Sequence, residues 1–252
     1  MFAQQCNEDI SYEKILAPEE GFVEAATRFL AQPDAIGCNV TMPFKLDAYH
    51  LAQVDDQAAK DAKAVNTLMN HEDGTIKGFN TDGVGLVNDL LNNGVALKNK
   101  RVLLIGAGGA ARGVISPLLE AGVASLIMTN RTIARAEQVA NETNHTRLSV
   151  VSLDNIASVK PHVIINSTAA SLHNELPCRM DAKVLEDCEV VYDMVYKNSP
   201  TLFMREAKAR GVNQCLDGLG MLVEQAASAF QIWTGKTPRT QTVVSELRAI
   251  VS

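Results

Sequence analysis

The residues best placed to do chemistry begin with three small ones. In LLIGAGGAAR, residues 103–112, Gly106, Gly108 and Ala111 stand at G-x-G-x-x-G/A spacing, after an apolar strand and at the opening of a helix. The first glycine permits a tight turn and the second lets a pyrophosphate approach the backbone. The third small residue lets helix pack on strand, and the helix N-terminus faces the phosphates. That context points to dinucleotide binding, against the alternative of an ordinary tight turn between strand and helix. An NAD site would place Asp or Glu at the end of the second strand, about 20 residues on. The chain has Asn130, Arg131 and Thr132 there, with Arg135 one turn later. A planar fork of donors suits a 2′-phosphate, so NADP is the expected cofactor unless the two arginines are surface residues with no task.

A second set of polar groups lies outside this module: Asn39-Val40-Thr41 with Lys45, Ala64-Val65-Asn66-Thr67, Asn80-Thr81-Asp82-Gly83, and Gln225 in GMLVEQA. Each puts amide, hydroxyl or charged groups at the edge of an apolar element, and each alone could be a cap or turn; Asp82 could cap the helix that follows. Lys45 is the odd one. In CNVTMPFKLDAYH, residues 38–50, it falls where a strand ends and a helix begins. A cation at a helix N-terminus is disfavoured by about 0.3–1 kcal/mol, so its placement needs a reason in geometry.

The elements that must position these residues follow from periodicity. FVEAATRFLA, residues 22–31, has helical spacing; AIGCNVT reads as a short buried strand; residues 46–62 read as helix. AVNTLMN and IKGFNTDG form a hairpin about Glu72-Asp73-Gly74-Thr75, and a helix over roughly 83–92 ends at Asn92-Asn93-Gly94. From residue 101 strand and helix alternate: RVLLIG, GAARGVISPLLEAG, ASLIMTN, IARAEQVANET, then the strands LSVV, HVIINS and CEVVYDMVY. That alternation predicts a parallel sheet covered by helices. Pro117 falls inside the first of those helices without a sequence-level reason. Leu219–Phe230 and Val243–Val251 are helical.

Composition bounds the function. In 252 residues, 46% hydrophobic content supports a full core without metal or disulfide staples. A net charge of −6 and a pI near 5.4 argue against a nucleic-acid binder. Five scattered cysteines (Cys6, Cys38, Cys178, Cys188, Cys215) with no CxxC pair fit reduced thiols. No apolar run reaches the roughly 18–20 residues of a membrane span, and the first residues lack the basic start of an export signal. A cytoplasmic protein that binds neither nucleic acid nor membrane is expected.

Taken in order, NVTMPFK, AVNT, NTDG, GAGGAAR, NRT with Arg135, YDMVY and DGLGMLVEQA resemble the signatures of the shikimate dehydrogenases, from about Phe2 to the C-terminus. The resemblance implies an α/β protein of two domains: an α/β substrate-binding domain, residues 1–82 plus 218–252, and a Rossmann NADP-binding domain, residues 83–217, with the C-terminal helices returning to the first. It implies reversible reduction of 3-dehydroshikimate to shikimate with NADPH, in aromatic amino-acid (chorismate) biosynthesis, by a monomer or homodimer. By the same resemblance Lys45 is the acid–base residue and Asp82 its partner, while Thr41, Asn66, Asp82, Tyr196 and Gln225 hold the substrate. Gly106, Ala107, Gly108, Gly109 and Ala110, Asn130, Arg131, Thr132 and Arg135, and Met194 and Gly218 line the NADP site. No metal is implied. The chemistry agrees: hydride transfer to a ketone creates an alkoxide, which needs a proton donor within about 2.6–3.2 Å.

Two departures stand against the family pattern. The family begins with a strand and a Ser-x-Ser loop for the substrate carboxylate, whereas Met1-Phe2-Ala3-Gln4-Gln5 aligns within its first helix. Ala169-Ala170 replace residues that are often serine in the family. Two other readings are a quinate/shikimate dehydrogenase that also uses NAD, which the arginines speak against, and an N-terminally truncated NADP-binding protein with little activity.

Overall fold

The computed structural model describes residues 1–251. Its first part runs Phe2–Cys6 (α1), Phe22–Leu30 (α2), Gly37–Asn39 (β1), Lys45–Leu51 (α3), Gln57–Ala62 (α4), Thr67–Asn70 (β2) and Ile76–Phe79 (β3). The three strands form an antiparallel sheet in the order β1-β2-β3. Phe22, Ala26 and Leu30 of α2 meet Val40, Ala48, Val65 and Leu68 in its core, and the Phe22 and Phe44 rings stack at 5.0 Å.

Two expectations need correcting here. AIGCNVT yields only three strand residues, half-buried rather than buried. β1 is an edge strand, bordered by a groove of about 500 Å³ that Ile15, Phe29 and residues 36–40 help to line. Residues 46–62 are two helices, not one. Gln53 leaves the helical path to pair with the β3 edge, its N–H donating to Ile76 O (2.8 Å) and its carbonyl accepting from Gly78 N–H (3.1 Å). Asp56 then starts α4 as its N-cap, accepting from Ala59 N–H at 2.9 Å.

The chain continues through Asp82–Asn92 (α5), Arg101–Ile105 (β4), Gly109–Glu120 (α6), Ser125–Thr129 (β5), Ile133–Thr143 (α7), Leu148–Val150 (β6), Val163–Asn166 (β7), Val190–Asp193 (β8), Leu202–Ala209 (α8), Gln214–Asp217 (β9), Leu219–Thr234 (α9) and Thr240–Val251 (α10). The six later strands form one parallel sheet in the order β6-β5-β4-β7-β8-β9. This is the doubly wound arrangement, with a crevice where the order reverses beside β4. β9 and α8 were absent from the sequence expectations. CEVVYDMVY supplies a strand only as far as Asp193, because Val195 N–H turns back onto the Asp193 carboxylate (3.2 Å).

Alternation along β4 divides the core. Val102 and Leu104 face a cluster with Leu86 and Leu90 of α5 and Val114 and Leu118 of α6. Leu103 and Ile105 face the other layer, with Phe203 and Ala207 of α8. Register aligns the strand ends in one row, Thr129, Ile105, Asn166, Asp193 and Asp217. Every loop that leaves this row emerges on the same edge, where ligands of such sheets bind.

Pro117, unexplained by sequence, has a structural partner. Proline cannot bond the Gly113 carbonyl one turn back, and that carbonyl, with the Pro117 ring, lies against Gly83 of α5 so closely that a Cβ there would collide with both. α9 spans the two sheets: Met221 packs on the parallel-sheet core, while Trp233 Nε1 donates to Leu68 O on β2 (2.9 Å).

Candidate active site

Lys45 opens α3 and Asp82 opens α5. Lys45 Nζ lies 2.5 Å from Asp82 Oδ2, with the two side chains 22% and 11% exposed. Asp82 is the first residue of its helix rather than its cap. Thr81 holds the cap position but makes no capping bond, because its hydroxyl is turned to Asn66 and Gln225.

Asn66, 2% exposed, is the hub. Its Nδ2 reaches Asp82 Oδ1 (2.9 Å), Thr81 Oγ1 (3.0 Å) and Gln225 Oε1 (3.2 Å). Its Oδ1 accepts from Thr81 N–H (2.9 Å) and Thr67 Oγ1 (2.9 Å). With the amide anchored on both sides, Asp82 Oδ1 is fixed and Oδ2 is left to hold the lysine. Asn39 extends the chain of bonds, donating to Thr67 Oγ1 (3.1 Å) and accepting from Tyr12 OH (2.8 Å).

The structure therefore gathers Lys45, Asn66, Asp82 and Gln225 in one network. Thr41 and Tyr196 stand apart: both are exposed, and neither side-chain hydroxyl has a protein partner among the described residues. Asn39, Thr67, Thr81 and Asn80, whose Oδ1 accepts from Asp82 N–H (3.0 Å), were in the polar segments but were given no role. Their signal was the repeated Asn-x-Thr and Asn-Thr pairs.

The other half of the site lies at the mouth of the crevice. Gly106 has φ +123, a conformation that favours glycine, and its N–H donates to Thr129 O (2.8 Å). A Cβ at Gly106 would collide with Ser167 Oγ, which donates to Ile105 O (2.7 Å) and ties the loop after β7 to the glycine turn. Gly108 caps α6 with no side-chain bond, and a Cβ built at Gly108 or Gly109 meets nothing within 4 Å. The start of α6 thus carries no side-chain cap, and nothing packs where side chains of Gly108 and Gly109 would stand. Asn130 Nδ2 donates to Thr132 O (2.8 Å). Arg131 and Arg135 are exposed and, among the described residues, neither guanidinium group has a hydrogen-bond or ion-pair partner. An uncapped helix start with two free guanidinium groups near the next strand end fits a dinucleotide with a 2′-phosphate. Met194 N–H is held by Asn166 O (2.9 Å), and Gly218 N–H by Val195 O (3.5 Å).

Beneath the α5–α9 contact, Tyr192 OH donates to Asp89 Oδ2 (2.6 Å) and Arg248 forms a two-armed pair with Asp217. Burial pushes the Asp89 carboxyl above its usual range, with Glu224 and Asp217 adding to the rise. The same burial pushes the Tyr192 phenol well up. Burial raises the Cys38 thiol to about 11 and the Cys178 and Cys188 thiols to about 12, so none of these is a ready nucleophile.

A doubly wound sheet with an open glycine turn, and a lysine–carboxylate pair anchored among amides, define a dinucleotide-dependent oxidoreductase. Residues 1–68 match the family described as "Shikimate dehydrogenase substrate binding domain", 88–186 "Shikimate / quinate 5-dehydrogenase", and 218–248 "Shikimate 5'-dehydrogenase C-terminal domain". The shikimate dehydrogenase (NADP(+)) of Alteromonas mediterranea is 68% identical over 251 residues, covering 100% of this chain and 90% of the relative. Among solved structures, an Ael1 enzyme from Pseudomonas putida superposes with TM-score 0.91 at 39% identity, over 98% of this chain and 90% of that one. The shikimate 5-dehydrogenase of Thermus thermophilus, in complex with NADP(H) and shikimate, gives TM-score 0.86 at 31% identity, over 100% and 92%. The chain belongs to the shikimate dehydrogenase family.

Proposed function

We propose that this chain is an NADP-dependent shikimate dehydrogenase, interconverting 3-dehydroshikimate and shikimate, with Lys45 as the acid–base residue. The Lys45–Asp82 pair, locked to Asn66, carries the reading. Residues 1–82 with 218–252 form the substrate domain and residues 83–217 the NADP domain. In support, the antiparallel sheet lies wholly in the first set and the parallel sheet in the second. The Phe2–Phe230 ring contact (6.0 Å) also ties the C-terminal part to the first helix.

Bound NADP(H) supplies or accepts the hydride. Gly106, Ala107, Gly108, Gly109 and Ala110 would hold its pyrophosphate, Asn130, Arg131, Thr132 and Arg135 its adenosine 2′-phosphate, and Met194 and Gly218 its other end. Lys45 holds a proton at Nζ and gives it to the oxygen that becomes the alcohol; in the reverse direction it takes that proton back. Asp82 keeps Nζ in place through that exchange, since Asn66 prevents the carboxylate from turning. Gln225 and Asn66 would bind substrate hydroxyls, and Thr41 and Tyr196, with free hydroxyls, the remaining polar groups.

NADPH consumption with 3-dehydroshikimate tests the reading, as does NADP reduction with shikimate. Turnover in both directions, lost on Lys45→Ala, is expected. Cofactor binding without turnover would leave only a nucleotide-binding protein.

A further inference from the structure

Asp193 ends β8, pairs in register with Asn166 at the end of β7, and is 0% exposed. Its carboxylate gathers four donors. Oδ2 accepts from Ser171 Oγ (2.5 Å) and Thr201 Oγ1 (2.7 Å), and Oδ1 accepts from Asn166 Nδ2 (3.0 Å) and Val195 N–H (3.2 Å). No cation contributes among the described residues, and burial pushes the carboxyl above its usual range against the pull of those bonds. Burying a carboxylate without a cation costs stability, and neither β7 nor β8 needs one to pair. What the group does is join two segments that leave the sheet on its ligand-binding edge: the loop after β7, and the loop after β8 as far as the start of α8. Asn166 completes the clasp. Its Oδ1 accepts from Thr168 N–H (3.0 Å) and Thr168 Oγ1 (2.7 Å), and its carbonyl accepts from Met194 N–H (2.9 Å).

We propose that Asp193 is a positioning residue for the nicotinamide half of the cofactor, setting Met194 by clasping the loop after β8 to the loop after β7, which Ser167 ties to the glycine turn. The assignment rests on the dinucleotide reading above. Asp193 touches neither cofactor nor substrate and acts through the residues that do. The adenine half, served by Arg131 and Arg135 on the far side of β4, lies outside the clasp. The two halves of the cofactor should therefore respond differently when the clasp is cut.

The test compares NADP with 2′,5′-ADP, which carries the adenine and 2′-phosphate but no nicotinamide, by calorimetry on the full chain, alongside kcat for shikimate oxidation. For Asp193→Ala we expect kcat to fall about tenfold to hundredfold, the scale of a small misplacement at a reacting centre. NADP affinity should fall as well, while 2′,5′-ADP affinity stays within about twofold. Asp193→Asn, which keeps the shape and one acceptor, should lie between the two; it decides by the same comparison if the alanine variant does not fold. Equal weakening of both ligands would mean general damage to the nucleotide domain and would overturn the assignment. Unchanged kcat and unchanged affinities would overturn it too. An unaltered chain that binds neither NADP nor 2′,5′-ADP would overturn the dinucleotide reading itself, and Asp193 with it.

Discussion

Lys45 and Asp82 are each the first residue of a helix, and their side chains meet at 2.5 Å. A carboxylate is favoured at a helix N-terminus and a cation disfavoured, each by about 0.3–1 kcal/mol. The two helix starts thus offset one another through the pair. The lysine occupies an unfavourable end because that is where the chain brings it to the carboxylate. Asn66 then fixes the carboxylate from behind.

Arg131→Ala should weaken NADP binding at least about tenfold while changing NAD binding little. One charge-assisted hydrogen bond is worth about 1.5–3 kcal/mol, and the Arg131 side chain has no protein partner to lose, among the described residues. Dissociation constants for both cofactors check this. Equal losses would show that the arginine does not read the 2′-phosphate.

Gly83→Ala should destabilise the chain by about 1–3 kcal/mol, the usual cost of overpacking. The added Cβ would collide with the Gly113 carbonyl and the Pro117 ring, so α5 and α6 must part. Denaturant unfolding measures the loss. A variant as stable as the parent would mean that this contact yields without cost.

Asp89 gives a pH prediction with a definite sign. Its carboxyl is raised above the ordinary 3.8 chiefly by burial. The folded state therefore holds its proton more tightly than the unfolded chain does. The stabilisation this gives is fully present below about pH 3.8 and is lost as pH rises through the folded value. Relative to Asp89→Asn, which does not titrate, the parent should lose thermal stability as pH rises from about 4 toward neutrality. A Tm difference that is flat across that range, or grows in the parent's favour, would contradict it.

Much of this could be read from residues in the right order. The glycine turn, the hairpin at residues 67–79 and the helix that stops at Asn92, just before Gly94, depend on local chemistry, and they stand where the spacing places them. β9 was missed because Gln214–Asp217 is short and only half-buried, with little apolar contrast. The break between α3 and α4 comes from Gln53 pairing with a distant strand, although Asp56 before Gln57 was a cap signal open to reading. Lys45, Asn66, Asp82 and Gln225 could be named as candidates, but the hub role of Asn66 could not. It depends on residues 15 and 159 positions away, which only the folded chain brings together. Asp193 escaped for the same reason, since its donors come from four separate positions along the chain.

The central claim is that Lys45 moves the proton while the dinucleotide site stands independently of it. The most direct test is Lys45→Ala, measuring kcat for shikimate oxidation and the dissociation constant for NADP in the same preparation. An acid–base group contributes roughly 10²–10⁴ in rate, so kcat should fall by about that factor while NADP affinity stays within about threefold. A variant that keeps more than about a tenth of the parent kcat, or that loses NADP binding along with turnover, would contradict the account.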